Sequence, residues 1–283
     1  MFTIQEESIG RAHDAVIRYI IDNSTLIKTE DGEVTIDPGQ PISIRVENPF
    51  ANPMISSASM FGPGFANEYQ TTFYTVKQRK HDGNDPVYTY GNRLCDYFTP
   101  YIRYSVPGRR PWVRKVADYA FSLLRYVHLD VRVYHEWKGD GNMGGVNQIH
   151  QSIIDRLIAN PESRRALAIT WSPNHDIQSA EPPCLQLVMA RIRPGTHIID
   201  LYAIFRSNDM LSAWGQNAYG LAYLLKYIVN EINRFIGDGP YTIGALETVS
   251  LAPHIYSTRD VMELSKFRDK FKIMDKYLNF QKT

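Results

Sequence analysis

The stretch EPPCLQLVMARIRPGTHIIDLYAIFRSND, residues 181–209, decides the fold class. It reads as two β-rich runs, 185–192 and 197–205, joined by Arg193-Pro194-Gly195-Thr196, whose proline and glycine suit a hairpin connection. The sheet is therefore at least partly antiparallel. Moving toward the N-terminus, 166–171 is a further strand and 148–158 an amphipathic helix stopped by Asn160-Pro161, because proline disfavours helix in the residue before it. Residues 103–145 hold a helix candidate, a strand candidate and a glycine-rich turn, and read as an insertion. After Gly62-Pro63-Gly64, residues 65–78 space aromatics at 65, 69 and 73 as a helix with one buried stripe would. Residues 33–36 and 42–46 flank Asp37-Pro38-Gly39 and predict a hairpin, and 11–22 predicts a helix. Toward the C-terminus, 221–235 is the most hydrophobic helix, closed by Gly237 and Gly239, followed by a final strand at 242–251 and a charged helical tail at 259–278. With no internal repeat, the pattern predicts an α+β fold, one domain over 1–283 with a variable tail over 259–283.

Lys and Arg total 31 against 30 for Asp and Glu, so there is no global basic field to drive nucleic-acid or membrane-surface binding. Any anion site must be local. The two cysteines, Cys95 and Cys184, in a chain whose start shows no secretory signal, suit a reducing cytoplasm rather than a disulfide framework. The longest apolar stretch, near 221–229, is interrupted by Lys226 and falls short of a bilayer span, so a soluble protein is expected.

Cys184 follows Pro182-Pro183 at a rigid entry into a strand, where a side chain can face a cavity. A single cysteine is either a small buried hydrophobe or, where cations stabilise the thiolate, a nucleophile. Arginine placement bears on that choice. Arg164 and Arg165 are adjacent before a strand, and Arg206-Ser207 sets a guanidinium and a hydroxyl together at a strand end, a combination matched to phosphate oxygens as well as to solvent. In the run 205–221, Asn208, Asp209, Gln216 and Asn217 precede an apolar helix and either cap it or face a ligand. The Asn217 amide offers one donor and one acceptor end, the complement of the O4 and N3–H edge of uracil. His254 and Tyr256 alternate as two residues on one side of an extended segment would, and either face a ligand together or leave the histidine as a satisfied core residue.

Taken in order, YGNRL (90–94), NQI (147–149), NPESRR (160–165), EPPC (181–184), FRSND (205–209), GQNAYGL (215–221) and HIY (254–256) resemble the thymidylate synthase family, including its archaeal-type synthases and phage pyrimidine hydroxymethylases. The resemblance implies that Cys184 adds to C6 of a pyrimidine nucleotide, and that C5 then takes a one-carbon unit from 5,10-methylenetetrahydrofolate or a related tetrahydropterin, with no metal. It implies that Arg206 and Ser207 hold the phosphate and that Arg206 also favours the thiolate. Arg164 and Arg165 would reach the phosphate from the other subunit of a homodimer. By the same resemblance Asn217 reads uracil, His254 and Tyr256 the deoxyribose, and Asp209 the pterin ring. Tyr90 would organise water, and Glu68, on an early helix, would manage protons. Three products of this reading stay open: methylation of dUMP, hydroxymethylation of dUMP or dCMP, and a non-catalytic nucleotide-binding paralogue. The chain departs from the family pattern in having Leu185 after the nucleophile instead of histidine. It also lacks a tryptophan pair upstream of YGNRL, a small hydrophobic terminus, and an early-loop phosphate arginine, for which Lys28 is the nearest basic candidate. These changes bear on water exclusion, and water capture of the exocyclic methylene nucleotide gives hydroxymethyl in place of methyl.

Overall fold

The computed structural model describes residues 1–30, 32–76, 89–97, 146–177, 179, 181–237 and 239–271. The expected insertion at 103–145 and the tail beyond 271 lie outside the described residues. Mixed sheets pack against helices, so the α+β expectation holds.

The larger sheet has six strands in the order β1 (Phe2–Glu6), β4 (Ile42–Val46), β9 (Thr242–Ser250), β7 (Ile198–Phe205), β6 (Leu185–Ile192) and β5 (Leu167–Ile169). β1–β4 and β9–β7 are parallel, and the other neighbours are antiparallel. The 193–196 hairpin forms as expected: Gly195 takes φ +71, and Arg193 N–H donates to Ile198 O at 2.9 Å. A second sheet orders β2 (Thr25–Lys28), β3 (Val34–Asp37), β10 (Pro253–Tyr256) and β8 (Asn208–Asp209).

The hairpin expected around Asp37-Pro38-Gly39 does not form. β3 pairs with β2 and β10, whereas β4 pairs with β1 and β9, so the turn hands the chain from one sheet to the other. The turn chemistry itself is as read, with Gly39 at φ +66 and its N–H bonded to the Asp37 carboxylate at 2.6 Å. What it does not dictate is pairing. Ile42, Ser43 and Ile44 are buried in succession, which requires cover on both faces, beyond what one hairpin partner supplies. The strand at 242–251 is likewise not the last, because β10 follows it.

Helix α1 (Ile9–Asn23) starts at Ser8, whose hydroxyl accepts from Arg11 N–H at 3.4 Å, and buries Ile9, Val16, Ile17 and Ile20 completely or nearly so. Each such side chain contributes about 2 kcal/mol by leaving water. The early aromatic helix is shorter than expected: α2 (Pro63–Tyr69) tightens into a 3₁₀ turn over Gln70–Phe73. Its aromatics stack, but Phe65 is 45% exposed, so the stripe runs from solvent into the core instead of lying wholly inside. A further short helix, α3 (Tyr90–Cys95), is capped by the Thr89 hydroxyl. The helix expected at 148–158 opens as a π turn (Ile149–Ile154) before continuing as α4 (Asp155–Ala159), a register that buries Ile149, Ile153, Ile154 and Leu157. After the single turn α5 (Pro173–Asp176), the central helix α6 (Trp214–Phe235) runs 22 residues and begins a full motif earlier than its apolar run suggested. Gly215 and Gly220 lie within it because a Cβ at the first would sit 2.8 Å from the His13 ring, and one at the second would overlap Phe73. The last helix described is α7 (Val261–Phe271). Among the described residues, no helix is long and apolar enough to cross a membrane.

The helices cover one face of the large sheet. On the other face the pairings Leu167↔Met189, Ile169↔Leu187, Leu187↔Ile204, Met189↔Tyr202 and Ile204↔Val249 gather an apolar patch, with Leu167 36% and Ile169 42% exposed.

Candidate active site

Cys184 stands at the mouth of β6, on a loop held by Arg206 at the end of β7. Arg206 donates through Nε to Pro183 O (3.1 Å) and through a terminal nitrogen to Pro182 O (2.7 Å), while its backbone N–H donates to Cys184 O (2.8 Å). Gln186 adds a bond to Pro183 O at 2.6 Å. The two prolines and these bonds fix where the half-buried thiol points. Burial pushes the Cys184 thiol above its ordinary value and the nearby Asp209 charge adds to this; Arg206 pulls the other way without overcoming them. Cys95, the second cysteine, is pushed to about 12 by burial and then by Asp96.

β8 and β10 bring the next group together. Their parallel pairing aligns Asp209 with His254, and the His254 and Tyr256 rings meet edge-on at 4.9 Å. Backbone bonds join this group to the thiol loop: Arg206 N–H donates to Cys184 O, Ala252 N–H to Arg206 O at 3.2 Å, and Met210 N–H to His254 O at 2.8 Å. Burial pushes the ionisation of the Tyr256 hydroxyl up, with Arg259 pulling it back and the Asp209 and Cys184 charges adding to the rise. Asp209 Oδ1 accepts from the backbone N–H groups of Leu211 and Ser212, each at 3.1 Å, and Oδ2 accepts from the Ser212 hydroxyl and from Arg259 at 2.7 Å. Ser207 follows Arg206 and is half-buried. Asn217 is 4% exposed and does not cap α6: its own N–H makes a helical bond to Ala213 O at 2.9 Å. Its side chain is instead bonded to the Tyr69 hydroxyl at 2.9 Å. Tyr90, 9% exposed, packs on Phe73 at the inner end of the same aromatic ladder.

Other candidates lie elsewhere. Glu68 is exposed on α2, and its contact with the Thr71 hydroxyl uses its backbone carbonyl rather than its carboxylate. Arg164 and Arg165 are exposed, and Arg164 lines a groove with Arg191, Thr196, His197 and Tyr241 at the turn end of the β6–β7 hairpin. Cys184 is at the opposite end of β6, seven positions or roughly 23 Å from Arg191. One chain does not bring these arginines to its own thiol. Lys28 ends β2 and is exposed; Leu185 is fully buried in the core.

Two residues escaped the sequence reading. Tyr69 was visible as one member of the aromatic stripe, but nothing in its spacing announced a bond to Asn217. Arg259 is the middle residue of Thr258-Arg259-Asp260, one residue beyond HIY, and lies 3.7 Å over the Tyr256 ring while bonding Asp209, a position that depends on the turn after β10.

The fold and this cluster define an α+β protein with a thiol presented at a strand mouth, on a loop held by an arginine and beside a strand pair that carries a carboxylate, an imidazole and a phenol. The family model described as thymidylate synthase matches residues 104–266. A Methanocaldococcus jannaschii protein named "Putative thymidylate synthase" is 42% identical over 207 residues, covering 71% of this chain and 80% of that protein. One of the same name from Methanosarcina barkeri is 41% identical over 113 residues, 40% of this chain and 48% of its own length. A Methanothermobacter marburgensis relative of that name matches at 38% over 112 residues, so these last two alignments span about half of each relative. The chain belongs to the thymidylate synthase family.

Proposed function

We propose that the protein transfers a one-carbon unit to C5 of dUMP, with Cys184 as the nucleophile, and that it does so as a cytoplasmic homodimer of single-domain subunits. The observation that carries this reading is the meeting of Cys184, Arg206, Asp209, His254 and Tyr256 from four separate strand ends. Addition of the Cys184 thiolate to C6 turns C5 into an enolate-like carbanion, and sulfur then leaves by β-elimination once the C5 proton is gone. A thiolate is required, so Cys184 must give up its proton before it adds to C6. The donor, of the 5,10-methylenetetrahydrofolate class that the family uses, supplies the carbon and, for a methyl product, also the hydride that reduces it as sulfur leaves, itself departing in the dihydro form. For a hydroxymethyl product water adds instead and the donor departs in the tetrahydro form.

Within this reading Arg206 and Ser207 bind the phosphate, Asn217 the base, and His254 with Tyr256 the sugar hydroxyl. Tyr90 orders water and Glu68, exposed on α2 next to Tyr69, manages protons. Asp209 is the residue for the donor ring. Its two oxygens already accept four hydrogen bonds, of which the one from the half-exposed Arg259 is the exchangeable one. The distance from Cys184 to Arg164 and Arg165 supports supply of these arginines by a second copy, and the apolar face of the large sheet supports the same assembly.

A second reading, a hydroxymethyl product, draws on Leu185, which is buried where the family carries a histidine. Incubation with dUMP and 5,10-methylenetetrahydrofolate, followed by mass analysis of the nucleotide, separates the outcomes. A methyl increment supports the first reading and a hydroxymethyl increment the second. Nucleotide binding without either increment leaves only the binding paralogue.

A further inference from the structure

The bond between Tyr69 and Asn217 joins residues 148 positions apart, and both ends are rigidly held. The Tyr69 ring is stacked on Phe65 (centroids 5.7 Å, interplanar 14°) and meets Phe73 edge-on at 5.6 Å. Phe73 in turn fills the space that Gly220 leaves open on α6, one turn beyond Asn217. Asn217 is nearly fully buried, and its backbone is locked in the first turns of the helix. The phenol donates to Oδ1, which leaves the amide N–H₂ and one Oδ1 lone pair for a ligand.

That residual set has a direction. Uracil presents a carbonyl at C4 and an N3–H, which suit an amide nitrogen and an amide oxygen in this orientation; cytosine presents an amine and a bare ring nitrogen, the reverse pair. To accept cytosine the amide must turn over, which places N–H₂ against the phenol and forces Tyr69 from donor to acceptor. We propose that Tyr69 is a positioning residue that fixes the orientation of Asn217 and so sets the preference for a uracil over a cytosine nucleotide. The inference rests on Asn217 being the base reader of the proposed function.

Calorimetric titration of the full chain with dUMP and with dCMP tests it without any donor present. The wild type is expected to favour dUMP, and Tyr69→Phe, which keeps the ring and removes the hydroxyl, to lower the dUMP:dCMP affinity ratio about tenfold, the equivalent of one hydrogen bond's net worth. General damage would weaken both nucleotides and leave the ratio alone. If Asn217→Asp moves the ratio and Tyr69→Phe does not, the role of Tyr69 is overturned while the reading of Asn217 stands. If the wild type prefers dCMP, or binds neither nucleotide, the underlying reading fails, and this inference with it. Should Tyr69→Phe not fold, 3-fluorotyrosine at position 69 alone supplies a stronger donor. The ratio is then expected to rise, and an unchanged ratio overturns the proposal.

Discussion

Arg259 and Asp209 form an ion pair at 2.7 Å while the same guanidinium lies flat over Tyr256 and bonds Asp260 at 3.1 Å, so one exposed cation ties together β8, β10 and the start of α7. Asp260 is 6% exposed, and its Oδ2 has no hydrogen-bond partner among the described residues. Burial first and the Asp209 charge second hold Asp260 above the usual carboxylate range, with Arg259 pulling it back.

Because the folded-state value of Asp260 exceeds the unfolded one, the folded protein binds that proton more tightly, and stability falls as pH rises from about 3.8 through the folded value. Arg259→Ala removes the opposing cation and deepens the fall. The expected loss is about 1–2 kcal/mol at pH 7, from an exposed ion pair and a cation–π contact, and smaller near pH 3.5, where protonation weakens the ion pair and the cation–π contact remains. Urea unfolding at the two pH values measures it, and an equal loss at both would remove the electrostatic account.

The two thiols should separate sharply. Cys184→Ser is expected to abolish turnover with nucleotide binding retained, whereas Cys95→Ser leaves turnover near wild type. Alkylation by iodoacetamide should find Cys184 first, at a rate that climbs with pH because its thiol is raised, while Cys95, at about 12, stays unmodified in the folded protein. Peptide mass mapping reads both sites, and preferential labelling of Cys95 would reverse the assignment.

If each phosphate site borrows arginines from the partner, inactive Arg165→Ala and Cys184→Ser homodimers should regain activity when unfolded together and refolded. A mixed dimer then has one intact site. A charge on the open sheet face, Ile204→Lys, is expected to shift the protein to monomer and to abolish turnover with it. Light scattering and activity on the same sample decide; a fully active monomer sinks the shared-site scheme.

Gly220→Ala asks whether the aromatic ladder depends on the helix that backs it. The new methyl must displace Phe73, at an expected cost of about 1–3 kcal/mol from overpacking. Melting curves report the loss, and an unchanged melting temperature would mean that Phe73 yields without strain.

Much of the architecture was legible because it is written locally. The 185–205 hairpin carries its turn in Arg193-Pro194-Gly195-Thr196, and α1 carries its cap and apolar stripe within fifteen residues. The misreadings share a cause, since each depended on a distant neighbour. Asp37-Pro38-Gly39 looks the same whether its strands pair with each other or with β9 and β10. The apolar run at 221–235 does not announce that α6 begins at Trp214, where Gly215 and Gly220 make room for His13 and Phe73. Cys184, Asp209, His254 and Tyr256 come from ordered motifs and do converge, whereas Arg164 and Arg165 are remote within the chain and Glu68 faces solvent. No spacing within a single chain could reveal Tyr69 against Asn217 or Arg259 against Asp209.

The strand order has a consequence for biosynthesis. β1 and β4 leave the ribosome early, yet the inner edge of β4 is paired only by β9, so the nascent protein carries an open sheet edge through most of its translation. The sheet closes like a clasp when residues 242–250 emerge. A message truncated before them yields a chain with nearly all of its length and an unfilled slot at its centre, a natural substrate for chaperones and proteases.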